Sequence, residues 1–217
     1  MSNTTFAAMV PDVAAFLQGC PNATVELTLR KVVTDLCQRG RVWVGDATPI
    51  ALVPGVATYT PVSPVQHSEY ADFLSGYVVI AGRRTDLAWE RAELVRRAYP
   101  EWPINAPGSP QQATADAPGT LQLAPVPDAA GTLFVRAYLR PARDALAWST
   151  ALYSEFHRAV FHGVLTELLG MPDRAWSAPQ LALVHGRMWT NLVREARDRS
   201  MRGFGTAEIA VEMRPFV

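Results

Sequence analysis

Two apolar repeats between Ser149 and Arg202 constrain the fold more than any other stretch of the sequence. Both follow the helical period of about 3.6 residues, and neither shows the alternation of a strand. The first repeat contains Leu152, Phe156, Val160, Val164, Leu165 and Leu168, and the second contains Leu181, Val184, Met188, Leu192 and Ala196. Gly170 can take the left-handed backbone that closes a helix, and Pro172 blocks its continuation. The sequence therefore predicts two long helices joined by a sharp turn, each with an apolar face that needs a packing partner.

Two more helical patterns lie before residue 40. Thr4 or Thr5 can cap a first helix that runs to about Gln18, and Asn22 can cap a second helix that runs to about Arg39. The second helix has one apolar face, formed by Val25, Leu29, Val32, Val33, Leu36 and Cys37. Because this face includes Cys37, we expect a buried free thiol there.

From residue 41 the pattern changes to short β-like runs separated by turns. The predicted strands are 42–44, 49–52, 57–60, 77–81, 120–124 and 132–139, with one short helix at 88–99. Residues 125–131 are predicted as the loop of a hairpin between the last two strands. We expect disorder in the C-terminal tail and in the loops 61–68 and 103–118, because they contain little that could be buried.

Helices at both ends and strands in the middle indicate an α+β fold with segregated elements. The simplest closure is a four-helix bundle that joins residues 1–40 to residues 145–202. Residues 41–144 then form a β-rich insertion, and residues 203–217 form an extended C-terminal arm. We expect these parts to make one domain of 217 residues.

The composition restricts the function. Lys and Arg together number 20, as do Asp and Glu, so the formal net charge is zero. A nucleic-acid-binding protein usually has a basic excess, which is absent here. No stretch is long and apolar enough for a membrane span, and the N-terminus lacks the pattern of a secretory signal. The two cysteines do not have metal-ligand spacing.

The usual signatures of catalysis are missing from the sequence. His157 and His162 are five residues apart on one helix and so point to different sides, which disfavours joint binding of a metal. His67 and His185 stand alone, and Ser154 beside His157 lacks the turn of a nucleophile elbow. We expect structural histidines, with no catalytic residues, cofactor or metal.

Two alternatives remain open. One is a small enzyme or ligand-binding domain with its site between the bundle and the β insertion, using Glu155, His157 and His185. The other is a DNA-contacting module that uses Arg194, Arg197 and Arg199. The acidic residues within that run favour a solvated helix face over a surface that follows phosphates.

Three stretches, taken in order, resemble the head-to-tail adaptor (connector) proteins of tailed bacteriophages. The first is the opening helix pair, MVPDVAAFLQGCPNATVELTLRKVVTDLCQRGRVW. The second is PGTLQLAPVPDAAGTLFVRAYLRP, with a G-x-L-x-L-x-P-x-P strand followed by a strand that ends in Arg-Pro. The third is LYSEFHRAVFHGVLTELLGMPDRAWSAPQLALVHGRMW, a helix pair with a Met-Pro turn and a Trp. The likeness spans nearly the whole chain.

The resemblance implies a structural protein of the virion, located at the head–tail interface and made in the cytoplasm of the bacterial host. Such adaptors form a ring, commonly of twelve subunits, under the portal. Their partners are the portal protein, the tail or neck proteins and copies of themselves. Double-stranded DNA passes through the lumen as non-specific cargo, and no membrane is involved. The family has no catalytic residues to carry over.

The resemblance also implies two contact surfaces. The C-terminal arm is expected to dock to the portal or to a neighbour through Phe204, Ile209, Val211, Met213, Arg214 and Phe216. The outward polar faces of the C-terminal helix pair are expected to meet neighbouring subunits through Glu155, Arg158, Arg187, Arg194 and Arg197.

Overall fold

The computed structural model describes residues 3–63, 65–104, 106–117 and 119–202, with Asp116 described by its backbone alone. The chain divides into two compact units. The helical unit is formed by Met1–Val42 and Leu146–Val217, and the β unit by Trp43–Ala145.

The described residues form five helices: α1 (Phe6–Ala14), α2 (Asn22–Gly40), α3 (Ala92–Ala98), α4 (Thr150–Leu169) and α5 (Pro179–Arg202). They also form thirteen strands: β1 (Asn3–Thr5), β2 (Val44–Asp46), β3 (Ile50–Leu52), β4 (Thr58–Tyr59), β5 (Ser68–Ile80), β6 (Arg83–Asp86), β7 (Ala88–Trp89), β8 (Pro107–Gly108), β9 (Gln112–Ala117), β10 (Thr120–Ala124), β11 (Val126–Pro127), β12 (Gly131–Pro141) and β13 (Ala147–Ser149).

The N-terminal helices largely follow their sequence signals. The Thr5 hydroxyl accepts a hydrogen bond from the Ala8 amide at 3.2 Å, so Thr5 caps α1 as predicted. The helix ends at Ala14, earlier than expected. The predicted apolar face of α2 is buried along its whole length, and Cys37 is a buried free thiol, which confirms both predictions. Burial raises the pKa of the Cys37 thiol.

Helices α4 and α5 form an antiparallel hairpin whose close approach depends on Gly163. A Cβ atom at Gly163 would lie 2.5 Å from Cγ1 of Val32 and 2.9 Å from Cε3 of Trp189. The indole of Trp189 therefore fills the space that any side chain at position 163 would need. In the turn, Gly170 does not take the predicted left-handed backbone, whereas Asp173 does, with φ of 56°.

The predicted four-helix bundle is wrong, although the fold does mix α and β elements. The face of α5 expected in a bundle core points outward: Leu181, Val184 and Met188 are 55%, 52% and 48% exposed. The buried residues of α5 are Ala182, Trp189, Val193 and Ala196, of which only Ala196 belongs to the expected face. Two of these four residues are alanines, so the side of α5 that packs is less apolar than the exposed side. The apolar repeat in the sequence therefore indicated the wrong side.

Two other findings separate the helical unit from a bundle. Helix α1 has nine residues and is too short to pair along the length of α4 or α5. The unit also contains a two-stranded antiparallel sheet, in which β1 pairs with β13 from Asn3↔Ser149 to Thr5↔Ala147. No pattern in the sequence indicates β1, because its three polar residues lack the alternation of a strand.

The β unit is organised around β12. This strand pairs along its length with β5 on one side and with β2 and β3 on the other, all antiparallel. Strand β6 extends this sheet by pairing with the end of β5. A second sheet has the order β4-β10-β9-β7, and a parallel pair joins β8 to β11. Inward side chains such as Leu121, Leu123, Leu133 and Val135 form the main core of this unit.

The predicted hairpin between residues 120–124 and 132–139 is wrong. Strand β10 pairs with β4 and β9, whereas β12 belongs to the other large sheet. The segment between them contains β11, which pairs with β8 and so cannot act as a simple loop. Residues 61–68 and 103–118 are also more regular than expected, because the start of β5 and all of β8 and β9 lie within them.

Candidate functional site

The residues expected to meet neighbouring subunits lie on the solvent side of α4 and α5. Glu155 and Arg158 are on α4, and Arg187, Arg194 and Arg197 are on α5; all five are exposed. We call this set the outer helical surface. Exposure leaves these side chains able to reach another molecule, but their contact with a neighbour remains a prediction.

The two helices that carry this surface, α4 and α5, are joined by an ion pair. The Arg199 guanidinium near the end of α5 donates to the Glu155 carboxylate near the start of α4. The pair closes the open end of the antiparallel hairpin. Glu155 is therefore already engaged within its own chain, and it would reach a neighbour only by sharing or exchanging this partner.

Exposed apolar side chains on α5 lie beside Arg187 of the outer helical surface, and the predicted set did not include them. Arg187 and Met188 lie three and four residues after Val184 on α5, so each of them neighbours Val184 on the helix surface. Val184 and Met188 expose about half of their surface, as does Leu181 one turn earlier. Clustered exposed apolar residues of this size, beside charged ones, are typical of protein–protein contact surfaces.

The residues of the predicted docking arm are Phe204, Ile209, Val211, Met213, Arg214 and Phe216, and they lie outside the described residues. Their proposed contact with a portal or a neighbour stays a prediction.

The arginines of the DNA-binding alternative are exposed but not isolated from acidic groups. Arg194, Arg197 and Arg199 share the end of α5 with the exposed Glu195 and Asp198. Arg199 is also held by Glu155. Phosphate binding favours an unbroken basic surface, so this arrangement does not favour DNA recognition.

The structure does not bring the residues of the enzyme alternative together. The Glu155 carboxylate binds Arg199, and Nδ1 of His157 lies 3.1 Å from the Ser154 carbonyl on its own helix. His185 instead lies against His162. Within residues 3–63, 65–104, 106–117 and 119–202, no three side chains of His, Cys, Asp or Glu are grouped to hold a metal ion.

Sequence reasoning missed the pairing of His162 with His185. Their Nδ1 atoms are 2.8 Å apart, across α4 and α5. A signal was present, because residues at similar distances from the turn of an antiparallel helical hairpin face each other. His162 lies two turns before the end of α4, and His185 lies nearly two turns after the start of α5. The prediction treated each histidine separately and so did not test this register.

A groove in the β unit also had no sequence signal. It has a volume of about 680 Å³ and lies beside the rings of Phe73 and Trp89, which stack with centroids 5.3 Å apart. Arg91 and Arg97 line it together with Glu90, Glu93 and Asp72. The opposing charges leave it without a clear preference for an anion or a cation.

None of the described helices is long and apolar enough to cross a membrane.

Among the described residues, α5 presents an exposed and partly apolar side, and Glu155, His157 and His185 are not brought together. The chain belongs to the family described as SU10 adaptor protein, whose pattern matches residues 4–210. This confirms the resemblance to phage head-to-tail adaptors. No curated protein matches the chain.

Membership in this family gives the protein a general role. It is a structural adaptor of a bacteriophage, at the head–tail position of the virion. The family implies interaction with portal and tail proteins and a non-enzymatic role.

Proposed function

We propose that the chain forms a ring of twelve copies between the capsid portal and the tail, and that the genome passes through the lumen of this ring. In this proposal the 217 residues act as one adaptor domain after synthesis in the host cytoplasm. A formal net charge of zero supports a conduit, since tight phosphate binding would retain DNA that has to leave.

The observation that carries the proposal is the outward side of α5. In a family of assembly proteins, α5 exposes Leu181, Val184 and Met188 next to Arg187. A second copy of the chain is the occupant that fits best, because a ring requires every subunit to present the same pair of contact surfaces. Apolar residues would supply the buried centre of the contact, and Arg194 and Arg197 its charged rim.

The interface can be tested with a double substitution, Val184→Glu with Met188→Glu. Two carboxylates at the centre of a buried contact should abolish ring formation while leaving the helical content unchanged. Assembly is measured by mass photometry and negative-stain microscopy, with and without portal rings. Leu27→Glu is the matched control, since Leu27 is 65% exposed on α2, away from the outer helical surface.

The same assay tests the polar part of the proposal. Charge reversal at Arg194 and Arg197 should weaken ring formation, and more so at low salt. Unchanged rings in both the apolar and the charge-reversed variants would refute the proposed role of α5 in the interface.

The arm is tested separately by deleting residues 206–217. We expect the truncated protein to keep its helical and β content and to lose binding to portal rings. Docking of the truncated chain with unchanged affinity would show that the arm does not contact the portal.

A further inference from the structure

The contact between His162 and His185 limits how many protons the two rings can carry. With the Nδ1 atoms 2.8 Å apart, one nitrogen must donate its proton and the other must accept it. The accepting nitrogen has to be unprotonated. The pair therefore tolerates no charge or one positive charge, but not two.

The surroundings of the pair make a second charge costly. The ring of Phe161 lies edge-on to both imidazoles, at 5.3 Å from His162 and 6.1 Å from His185 between centroids. An apolar ring supplies no acceptor for an additional imidazolium proton. Burial, the neighbouring His185 and the Arg158 guanidinium lower the pKa of His162 below its ordinary value.

His162 lines a cavity of about 380 Å³ in the helical unit, and other titratable groups line the same cavity. Asp12 of α1 and Tyr153, His157 and Arg158 of α4 line it, and α2 contributes the apolar Leu29. The Tyr153 hydroxyl donates a hydrogen bond to the Asp12 carboxylate, and burial together with this contact raises the pKa of Tyr153. From α5, the flanking charge is Arg187, two residues beyond His185 and exposed. Among these groups, the Arg158 guanidinium opposes added positive charge on His162.

We propose that His162 and His185 form a pH-sensitive contact that holds the α4–α5 hairpin together near neutral pH and loosens it in acid. When both rings are protonated, two cations face each other across the hairpin and their hydrogen bond is lost. This device belongs to the single protomer and does not depend on ring formation.

The direction of the effect follows from proton linkage. Because the pKa of His162 is lower in the folded protein, the unfolded chain binds more protons in acid. The stabilisation is complete above the ordinary value of 6.5 and is lost progressively as the pH falls from there through the lowered pKa.

The test compares melting temperatures between about pH 8 and about pH 5, the range in which histidines titrate. Wild type should lose more stability over this range than His185→Gln, by about 2–4 °C, since glutamine does not become charged. His157→Gln is the matched control, because His157 lies on the same helix as His162 and its Nδ1 lies against the Ser154 carbonyl, whereas Nδ1 of His162 lies against a second histidine. It should keep the pH dependence of the wild type.

A direct titration of the wild type by imidazole NMR keeps the proposal testable if His185→Gln does not fold. The pKa of His162 should lie below the ordinary histidine value of 6.5 in these spectra. The proposal is refuted if His162 titrates at or above the ordinary histidine value of 6.5, or if His185→Gln keeps the full acid sensitivity. It is also refuted if EDTA removes the acid transition, since the pair would then be a metal site.

Discussion

Helices α2 and α5 have comparable apolar repeats in the sequence, but the repeat of α2 is buried in the fold and much of the repeat of α5 is exposed. The repeat of α2 is buried from Val25 to Cys37. The repeat of α5 from Leu181 to Met188 is exposed, and a sparser side centred on Trp189 packs in its place. Helical periodicity thus identifies a helix, whereas the side that is buried also depends on the shape of the surface it meets. On α4 that surface contains Gly163, which admits an indole.

The largest expected effect is a difference in the free energy of unfolding when the same substitution, Leu→Ala, is made in each of the two repeats. Leu36 is fully buried on α2, so Leu36→Ala should lower the free energy of unfolding by about 2–5 kcal/mol. Leu181→Ala on α5 should change it by less than about 0.5 kcal/mol in the monomer. Urea titration followed by far-UV circular dichroism measures both. An equal loss at the two positions would mean that the outward side of α5 is buried in the monomer after all.

A second prediction concerns the surface that selects the buried side of α5. Gly163→Ala should destabilise the protein by about 1–3 kcal/mol, because its Cβ would meet Val32 and Trp189. Gly186→Ala is the matched control on α5, where the nearest contact is an ordinary 3.4 Å to Thr166 Cγ2. The higher helix propensity of alanine should stabilise that variant, by up to about 1 kcal/mol. Thermal melts give the sign of each change, and equal signs would contradict the proposed role of Gly163.

The smallest expected effect concerns a polar link between α2 and α4. Nζ of Lys31 lies 2.6 Å from Oε2 of Glu167, with both side chains largely exposed. A double-mutant cycle with Lys31→Ala and Glu167→Ala should give a coupling of about 0.2–1 kcal/mol that weakens at high salt. A salt-independent coupling, or one above that range, would show that the link contributes more to helix packing than an exposed ion pair can.

The sequence predicted elements better than partners. It identified α2, α4 and α5 because each has a sustained helical repeat. It missed β6, whose Arg83, Arg84 and Asp86 resemble a turn but pair with the end of β5. It also paired β10 with β12, since adjacent strands usually form hairpins, and could not detect that β11 binds β8. The errors about β10 and β11 concern contacts between residues distant in the sequence, which local patterns do not encode, whereas β6 pairs with the strand just before it.

The candidate surface was predicted in the same partial way. Its charged residues were found on α4 and α5 and are exposed, since charge alone favours solvent. Its apolar residues were assigned to a core, because a repeat such as Leu181, Val184 and Met188 is identical in a buried helix and in one that awaits a partner. The His162–His185 contact required the register of the hairpin, which depends on the nine residues between α4 and α5.

The pairing of β1 with β13 has a consequence for how the chain is made. Strand β1, α1 and α2 leave the ribosome first, but their partners β13, α4 and α5 follow only after the whole β unit. Domains generally fold as units during synthesis, so the continuous β unit can finish while the helical unit is still half made. During that interval the apolar face of α2 has no α4 or α5 to cover it. We therefore expect the nascent chain to be prone to aggregation in that interval.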